Sequence, residues 1–408
     1  LGLAFLSPQK HYIIFIINCQ LTVTYGIIYI EGDKVITSIK VRLEPNNKQN
    51  SKMFQSAGTA RWAYNWTLNK QQENYKQGNK FLQDGVLRKE LTQLKKIEKL
   101  KWLNNYSNNI TKQAIKDACN AYKNFFKDLA DKPKFKSRKK TKPSFYQDIG
   151  KIKFTETHVR LEKIGWVRLS EKNRIPVNVK YKNPRVTFDG VHWYISVGIE
   201  VESIKPKLTT ENIGIDLGIK DLAICSNGMT FKNINKTSKV KKIEKKMRRL
   251  QHRVSRKYLI NKKGGSYCKT SNIIKLEKTI KKVYKRLDNI RTNYIHQVTT
   301  KIVKIKPSRV VMENLNVSGM MKNKHLSKAL AQQNFYKFIQ TMKYKCEKYG
   351  IEFIQADRFY PSSKTCSECG AVKKDLKLSD RTYICPECGC VIDRDYNASI
   401  NLSRYELA

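Results

Sequence analysis

The sequence predicts a multidomain chain in which an α/β domain is joined to a small β-barrel and to helical parts. Three observations carry this. The hydrophobic period is 3.6 between about residues 47 and 131, changes to two between 146 and 205, and then alternates between short apolar strands and long helices. Two Cys-x-x-Cys knuckles stand close together near the C-terminal end. The 408 residues carry 81 Lys+Arg against 34 Asp+Glu, a formal charge of +47, while 40% of residues are apolar, enough for a folded core. So large a charge repels itself unless a polyanion compensates it, which makes nucleic acid the expected partner. The excess is spread along the chain rather than confined to one amphipathic helix, which argues against a membrane-surface protein.

In chain order, residues 1–34 are atypical. They begin with Leu1, and Tyr12–Ile30 has no charged side chain, yet Asn18, Gln20, Thr22 and Thr24 dilute it. The expectation is an upstream extension of the frame rather than a targeting segment, with the fold starting near Val35. Val35–Leu43 alternates as a strand. The helical block that follows contains Phe54, Trp62, Tyr64 and Trp66 at core spacing, and Lys132–Lys142 reads as a basic linker. Strands are expected around Ile152–Phe154, Val159–Leu161, Trp166–Leu169, Val177–Tyr181 and Arg185–Phe188, with Asp189-Gly190 as a type I′ hairpin turn into His192–Val197. The helical block is thus an insertion into a β domain.

Ile213–Ile224 is a strand, a tight turn and a second strand. Lys236–Lys257 and a second helix through Leu276, Val283, Leu287 and Tyr294 have apolar seams and basic outer faces, as in a helical hairpin. Val310–Leu315 is a buried strand, Leu326–Tyr349 a helix closed by Gly350, and Ile351–Ile354 another strand.

Cys366-Ser367-Glu368-Cys369 and Cys385-Pro386-Glu387-Cys388, each followed by glycine, have the spacing of a zinc ribbon, with the four thiolates holding one structural Zn²⁺. Cys390 is read as a bystander, and the unpatterned remaining cysteines fit a reducing compartment. Three carboxylates stand out by position: Asp216 in the strand hairpin, Glu313 at a strand end and Asp395 after the ribbon. Gathered by a fold, such a set suits two Mg²⁺ or Mn²⁺ ions and phosphodiester hydrolysis.

Gly214-Ile215-Asp216-Leu217-Gly218, Met312-Glu313-Asn314-Leu315, the two cysteine knuckles and Asp393-Arg394-Asp395-Tyr396-Asn397-Ala398 together resemble the TnpB proteins of insertion sequences, relatives of type V CRISPR effectors. The resemblance spans 35–408. It implies an RNase H-like (RuvC) nuclease domain with an inserted zinc ribbon, and an N-terminal wedge β-barrel interrupted by a helical recognition domain. In these terms 1–34 is outside the fold, 35–50 with 146–205 the wedge, and 51–145 the recognition domain. Residues 206–360 with 392–408 form the nuclease domain, including the hairpin 236–302, and 361–391 the ribbon. Asp216, Glu313 and Asp395 map onto the metal-binding acids, Asn397 selecting Asp395 over Asp393. A guide RNA from the transposon end and double-stranded target DNA are the implied partners, next to a transposon-adjacent motif and in a prokaryotic cytoplasm, without a membrane. Lys132, Lys134, Lys136, Arg138, Lys139, Lys140, Arg248, Arg249 and Arg253 are the nucleic-acid-binding candidates. The alternatives are an RNA-guided or RNA-binding regulator that does not cut, or a transposition accessory protein. No His-x-His pair is present for a relaxase among His11, His158, His192, His252, His296 and His325.

Overall fold

The computed structural model describes residues 28–29, 34–202, 206–264, 266–377 and 380–406. Its N-terminal half runs β1 (Ile28–Tyr29), β2 (Lys34–Glu44), α1 (Asn47–Lys76), α2 (Asp84–Leu94), α3 (Asn108–Phe125), β3 (Ser144–Tyr146), β4 (Lys153–Phe154), β5 (His158–Leu161), β6 (Gly165–Leu169), β7 (Tyr181–Phe188) and β8 (Trp193–Glu202). The strands form one antiparallel sheet in the order β3-β7-β8-β2-β6-β5-β4, with β1 beside β2. Its hydrogen-bonded path is open at β3 and β4. The sheet nevertheless curls until Phe145 and Ile152 share a core with Val159, Val167, Val186 and Ile195. It is a barrel in packing rather than in closure.

Helices α1 to α3 leave this sheet after β2 and return before β3. Asn46 caps α1, accepting from Gln49 N while the Gln49 side chain accepts from Asn46 N. Ala63, Tyr64 and Leu68 of α1 pack on Ala114, Ala118 and Tyr122 of α3.

Several expectations are corrected here. Ile28 and Tyr29 pair with Ile36 and Val35, so the sheet begins upstream of Val35; residues 1–27 and 30–33 lie outside the described residues. Residues 177–180 form no strand. β7 starts at Tyr181 and its register shifts between Lys182 and Arg185, across Pro184, which has no N–H to give the ladder. The turn after β7 is not type I′, because Gly190 has positive φ and Asp189 does not. The Asp189 carboxylate instead accepts from the N–H groups of Val191 and His192, closing a four-residue loop. The basic stretch 132–142 is a strap fixed to α1: Asn65 exchanges two hydrogen bonds with the Lys136 backbone, and the Lys136 ammonium sits 3.5 Å from the centre of the Tyr64 ring.

The C-terminal half runs β9 (Asn212–Asp216), β10 (Asp221–Cys225), β11 (Thr230–Lys232), α4 (Ser238–Ile260), β12 (Lys262–Lys263), β13 (Ser266–Tyr267), α5 (Ser271–Lys304), β14 (Arg309–Glu313), α6 (Val317–Met320), α7 (Ser327–Gln333), α8 (Phe335–Tyr349), β15 (Glu352–Ala356), β16 (Thr382–Ile384), β17 (Val391–Asp393) and α9 (Arg394–Ser403). Its sheet has the order β11-β10-β9-β14-β15. β9, β14 and β15 are parallel, and β10 is antiparallel to β9. Parallel strands are covered on both faces, which is why Ile213, Ile215, Val310, Val311 and Met312 are all buried. Helices α5 and α8 cover one face and α9 the other. Helices α4 and α5 pair through Val240, Ile243, Val283 and Leu287.

The helix expected over 326–349 is two helices. Asn334 takes a left-handed conformation (φ 55°) between α7 and α8, and the buried Gln333 side chain donates to Gly218 O and Ile219 O. Anchoring that amide to the turn between β9 and β10 accounts for the break. β16 and β17 pair antiparallel, with Thr382 opposite Asp393.

Candidate active site and metal centre

The parallel register places the first two acids. Val311 pairs with Gly214 and Met312 with Ile215, so one more step sets Glu313 beside Asp216 at the carboxyl ends of adjacent strands. In open α/β sheets this edge is where ligands bind. The third acid arrives on α9, which lies against the backbone of β9 at Gly214: a Cβ there would be 2.0 Å from Ser399 O and 2.4 Å from Ser403 N. From Ser399, Asp395 is one helical turn back, about 6 Å along the axis. Asp216 is two residues beyond Gly214, about 6.6 Å along the strand. The two rises are similar, and the Asp395 carboxylate is close enough to Asp216 to act on its charge.

The electrostatics agree with that convergence. Burial, then the Asp395 and Glu313 carboxylates, push Asp216 up to about 8, and burial raises Glu313. A buried acid whose charge two neighbouring carboxylates disfavour marks a site that a divalent cation relieves. They are not drawn as tightly together as the cysteines, which are the metal-ligating group that closes within 4.8 Å among the described residues. Asp395 is meanwhile held by Arg394, whose Nη2 donates to Oδ1 at 2.8 Å, and by Arg381, whose Nη1 is 3.5 Å from Oδ2. Asp393 plays a different part: its carboxylate caps α9, accepting from Asp395 N and Tyr396 N.

The four cysteine sulfurs converge between the knuckles. Cys366 Sγ lies 3.7 Å from Cys388 Sγ, and Cys369 Sγ lies 3.5 Å from Cys385 Sγ. Tetrahedral zinc with Zn–S of about 2.3 Å needs sulfurs about 3.8 Å apart, so the set fits zinc. Backbone N–H groups of Cys388 and Glu387 draw Cys385 down to about 6, toward the thiolate that a metal requires. Gly370 and Gly389 have φ of 78° and 69°, the left-handed turns each knuckle makes. Cys390 is outside the four-thiol group.

The ribbon is bolted to α9 by side-chain amides. Buried Asn397 accepts from Ser367 N at 2.9 Å and donates to Thr365 O at 2.7 Å, and Asn401 donates to Ser362 O and Thr365 O. The residue that marks Asp395 in the motif thus fastens the first knuckle to the helix carrying that acid. Cys385→Ser is expected to abolish binding of the single zinc ion and to lower Tm by at least about 5 °C. Zinc release followed with a chromogenic chelator, alongside thermal melts, checks this.

The basic candidates fall into two classes. Lys132, Lys134, Arg138, Lys139, Lys140, Arg248, Arg249 and Arg253 are exposed, whereas Lys136 is turned onto Tyr64. Sequence reasoning missed a seam between the two halves of the molecule. Lys285 Nζ stands 3.3 Å from Asp189 and 3.5 Å from Asp288. Lys40 lies 4.6 Å from the centre of the Tyr194 ring, and burial, then Lys285, lowers its pKa. Lys337 donates to Thr292. Each is a single lysine in an ordinary strand or helix pattern, so only the tertiary fold brings them near one another.

Three family models match in order along the chain: "Helix-turn-helix domain" over 35–80, "Probable transposase" over 194–324 and "Cas12f1-like, TNB domain" over 335–402, the first two drawn from the OrfB proteins of the IS605 insertion sequence. A relative from Escherichia coli (strain K12) named "Putative RNA-guided DNA endonuclease InsQ" is 29% identical over 90% of this chain and 92% of its own. One from Streptomyces pristinaespiralis, named as the same kind of enzyme, is 29% identical over 92% and 90%. These matches run along the same stretches whose motifs resemble the TnpB family. A solved Cas12f1 structure, determined with single-guide RNA and target DNA, shares the fold with a TM-score of 0.61 at 13% identity, covering 91% of this chain and 99% of that one. In this chain the stretch matched by the helix-turn-helix model is β2 followed by one unbroken helix, α1. Among the described residues no helix is long and apolar enough to cross a membrane.

Proposed function

We propose that this chain is an RNA-guided DNA endonuclease of the TnpB family, with Asp216, Glu313 and Asp395 as the acids that hold its catalytic metal ions. The convergence of those three carboxylates at one edge of the parallel sheet carries the reading. In this view residues 206–360 and 392–408 are an RNase H-like (RuvC) nuclease domain, 361–391 a zinc ribbon, 35–50 with 146–205 a wedge barrel and 51–145 a recognition domain. Two Mg²⁺ or Mn²⁺ ions, when bound, supply an activated water and stabilise the charge on the leaving oxygen. Asp216 and Glu313, on rigid strand ends, fix the direction from which the acids face the scissile phosphate. Asp395 joins them from the first turn of α9. Arg394 and Arg381 present guanidinium groups at the same edge, where they can pair with a phosphate of the strand.

The exposed basic strap, the outer face of α4 and the lysine seam between the halves are the surfaces for guide RNA and for the RNA–DNA duplex, and base pairing selects the target. The setting is a prokaryotic cytoplasm. The test is co-purification from cells carrying the flanking element. Bound RNA is sequenced, and the complex is then challenged with a plasmid library of randomised sequence beside a guide-matched target, with and without Mg²⁺. The expected result is one discrete RNA and Mg²⁺-dependent cutting of matched plasmids beside a short fixed motif. RNA without cutting would instead make the chain a guided DNA-binding regulator. Absence of a defined RNA would overturn the guided mechanism.

A further inference from the structure

The turn Asp357–Tyr360 leaves β15 immediately after Ala356, the partner of Glu313 in the parallel register. It therefore stands at the same sheet edge as the candidate acids. Asn314, which follows Glu313, and Asp357, Arg358, Phe359 and Tyr360 line a cleft of about 580 Å³ there.

The turn is braced from behind. Tyr360 N donates to Asp357 O, and Tyr405 donates its hydroxyl to the Asp357 carboxylate at 3.1 Å. The Tyr360 hydroxyl donates to Asn401 O at 3.2 Å, and its ring meets Tyr405 edge-on at 4.9 Å. These contacts reach the C-terminal end of α9, the helix that also brings in Asp395. Phe359, between the anchored Asp357 and Tyr360, is 91% exposed. Its benzyl group contributes almost nothing to the core, and scattered exposed apolar residues are ordinary. A ring held out on a rigid turn beside an acid site and next to an exposed arginine is less ordinary. A planar face with an adjacent cation is what an unpaired nucleotide binds: the base stacks and the phosphate pairs.

We propose that this turn is a stacking platform for an unpaired base of the DNA strand entering the candidate site, with Phe359 taking the base and Arg358 an adjoining phosphate. The assignment of the strand as DNA rests on the nuclease reading above. The platform holds the strand in register with the acids while the scissile phosphate is presented, so Phe359 is a positioning residue.

Photocrosslinking tests the contact without any cutting. The purified full-length complex is mixed, in Mg²⁺-free buffer, with single-stranded DNA carrying 5-iododeoxyuridine, irradiated and digested with trypsin. Cleavage after Arg358 and Lys364 isolates a peptide that begins at Phe359. The expected result is a crosslink on that peptide, reduced about tenfold in Phe359→Ala, the worth of one stacked base, and kept in Phe359→Trp. Unchanged Tm in both variants separates this from a folding effect. In cleavage assays Phe359→Ala should raise KM with kcat little changed. Absence of the crosslink, or an equal crosslink in Phe359→Ala, overturns the platform. An iodouridine RNA strand of the same sequence is the second arm, and stronger crosslinking by RNA overturns the assignment to DNA. A crosslinking protein that cuts no matched plasmid would leave the platform standing and remove the nuclease reading; the reverse pattern would do the opposite.

Discussion

Asp216→Ala is expected to lower cleavage on the order of a thousandfold or more while leaving binding of guide RNA and target DNA within about twofold. Single-turnover rates and filter binding on the same preparation check both halves of that statement. Asp216→Asn should be as inactive, since it keeps the shape and loses the charge. The two variants also report on the apo protein's pH dependence. Asp216 is pushed up to about 8 in the folded chain, from an ordinary value of 3.8. Between these values the folded state holds a proton that the unfolded state has released. Stability from this group is therefore complete below 3.8 and is lost as pH rises through about 8. In Mg²⁺-free buffer the Tm of Asp216→Asn should rise relative to the parent protein as pH goes from 5 to 9. A constant difference would show that Asp216 is not crowded by its neighbours.

Gly214→Ala is the largest structural effect expected from a single methyl group. The added carbon would sit 2.0 Å from Ser399 O and 2.4 Å from Ser403 N, both backbone atoms that cannot rotate away. The strand or α9 must move, at a cost above about 4 kcal/mol, which lowers Tm by about 10 °C. Cleavage should disappear although all three acids remain, because Asp395 is displaced with its helix. Gly85→Ala in α2, where a Cβ meets nothing within 4 Å, is the control and should be neutral or slightly stabilising. Thermal melts and proteolysis at α9 distinguish the two. A Gly214→Ala variant that melts like the parent and still cuts would mean that α9 does not depend on this contact.

The two positions also show what the sequence makes legible. The apolar runs Ile213–Ile215 and Val310–Met312, each followed by an acid, read as short buried strands before any fold is known, because a strand covered on both faces has no polar side to alternate with. The cysteine spacing is equally direct, since a tetrahedral ion leaves few alternatives. Long-range register is what stays hidden. Nothing local reveals that Gly214 is small because a helix some 185 residues later lies against it. The same holds for Asn334. Its helical neighbours predict one continuous helix, and the break comes from Gln333 reaching the turn after β9. The strap at Lys132–Lys142 reads as a free charged run because its anchors, Asn65 and Tyr64, belong to α1. Phe359 is invisible for a related reason: nothing local distinguishes it from its neighbour Tyr360, and only the brace behind Tyr360 shows which of the two rings is held outside.

The placement of α9 bears on the order in which the protein is made. Asp216 and Glu313 emerge from the ribosome first, followed by the ribbon, and Asp395 only afterwards. Until residues 394–403 have been released and have settled on Gly214, a nascent chain holds two of its three acids at an uncovered strand edge. On the proposed function, a message broken anywhere upstream of that helix yields polypeptide that can neither complete the site nor cut the host chromosome.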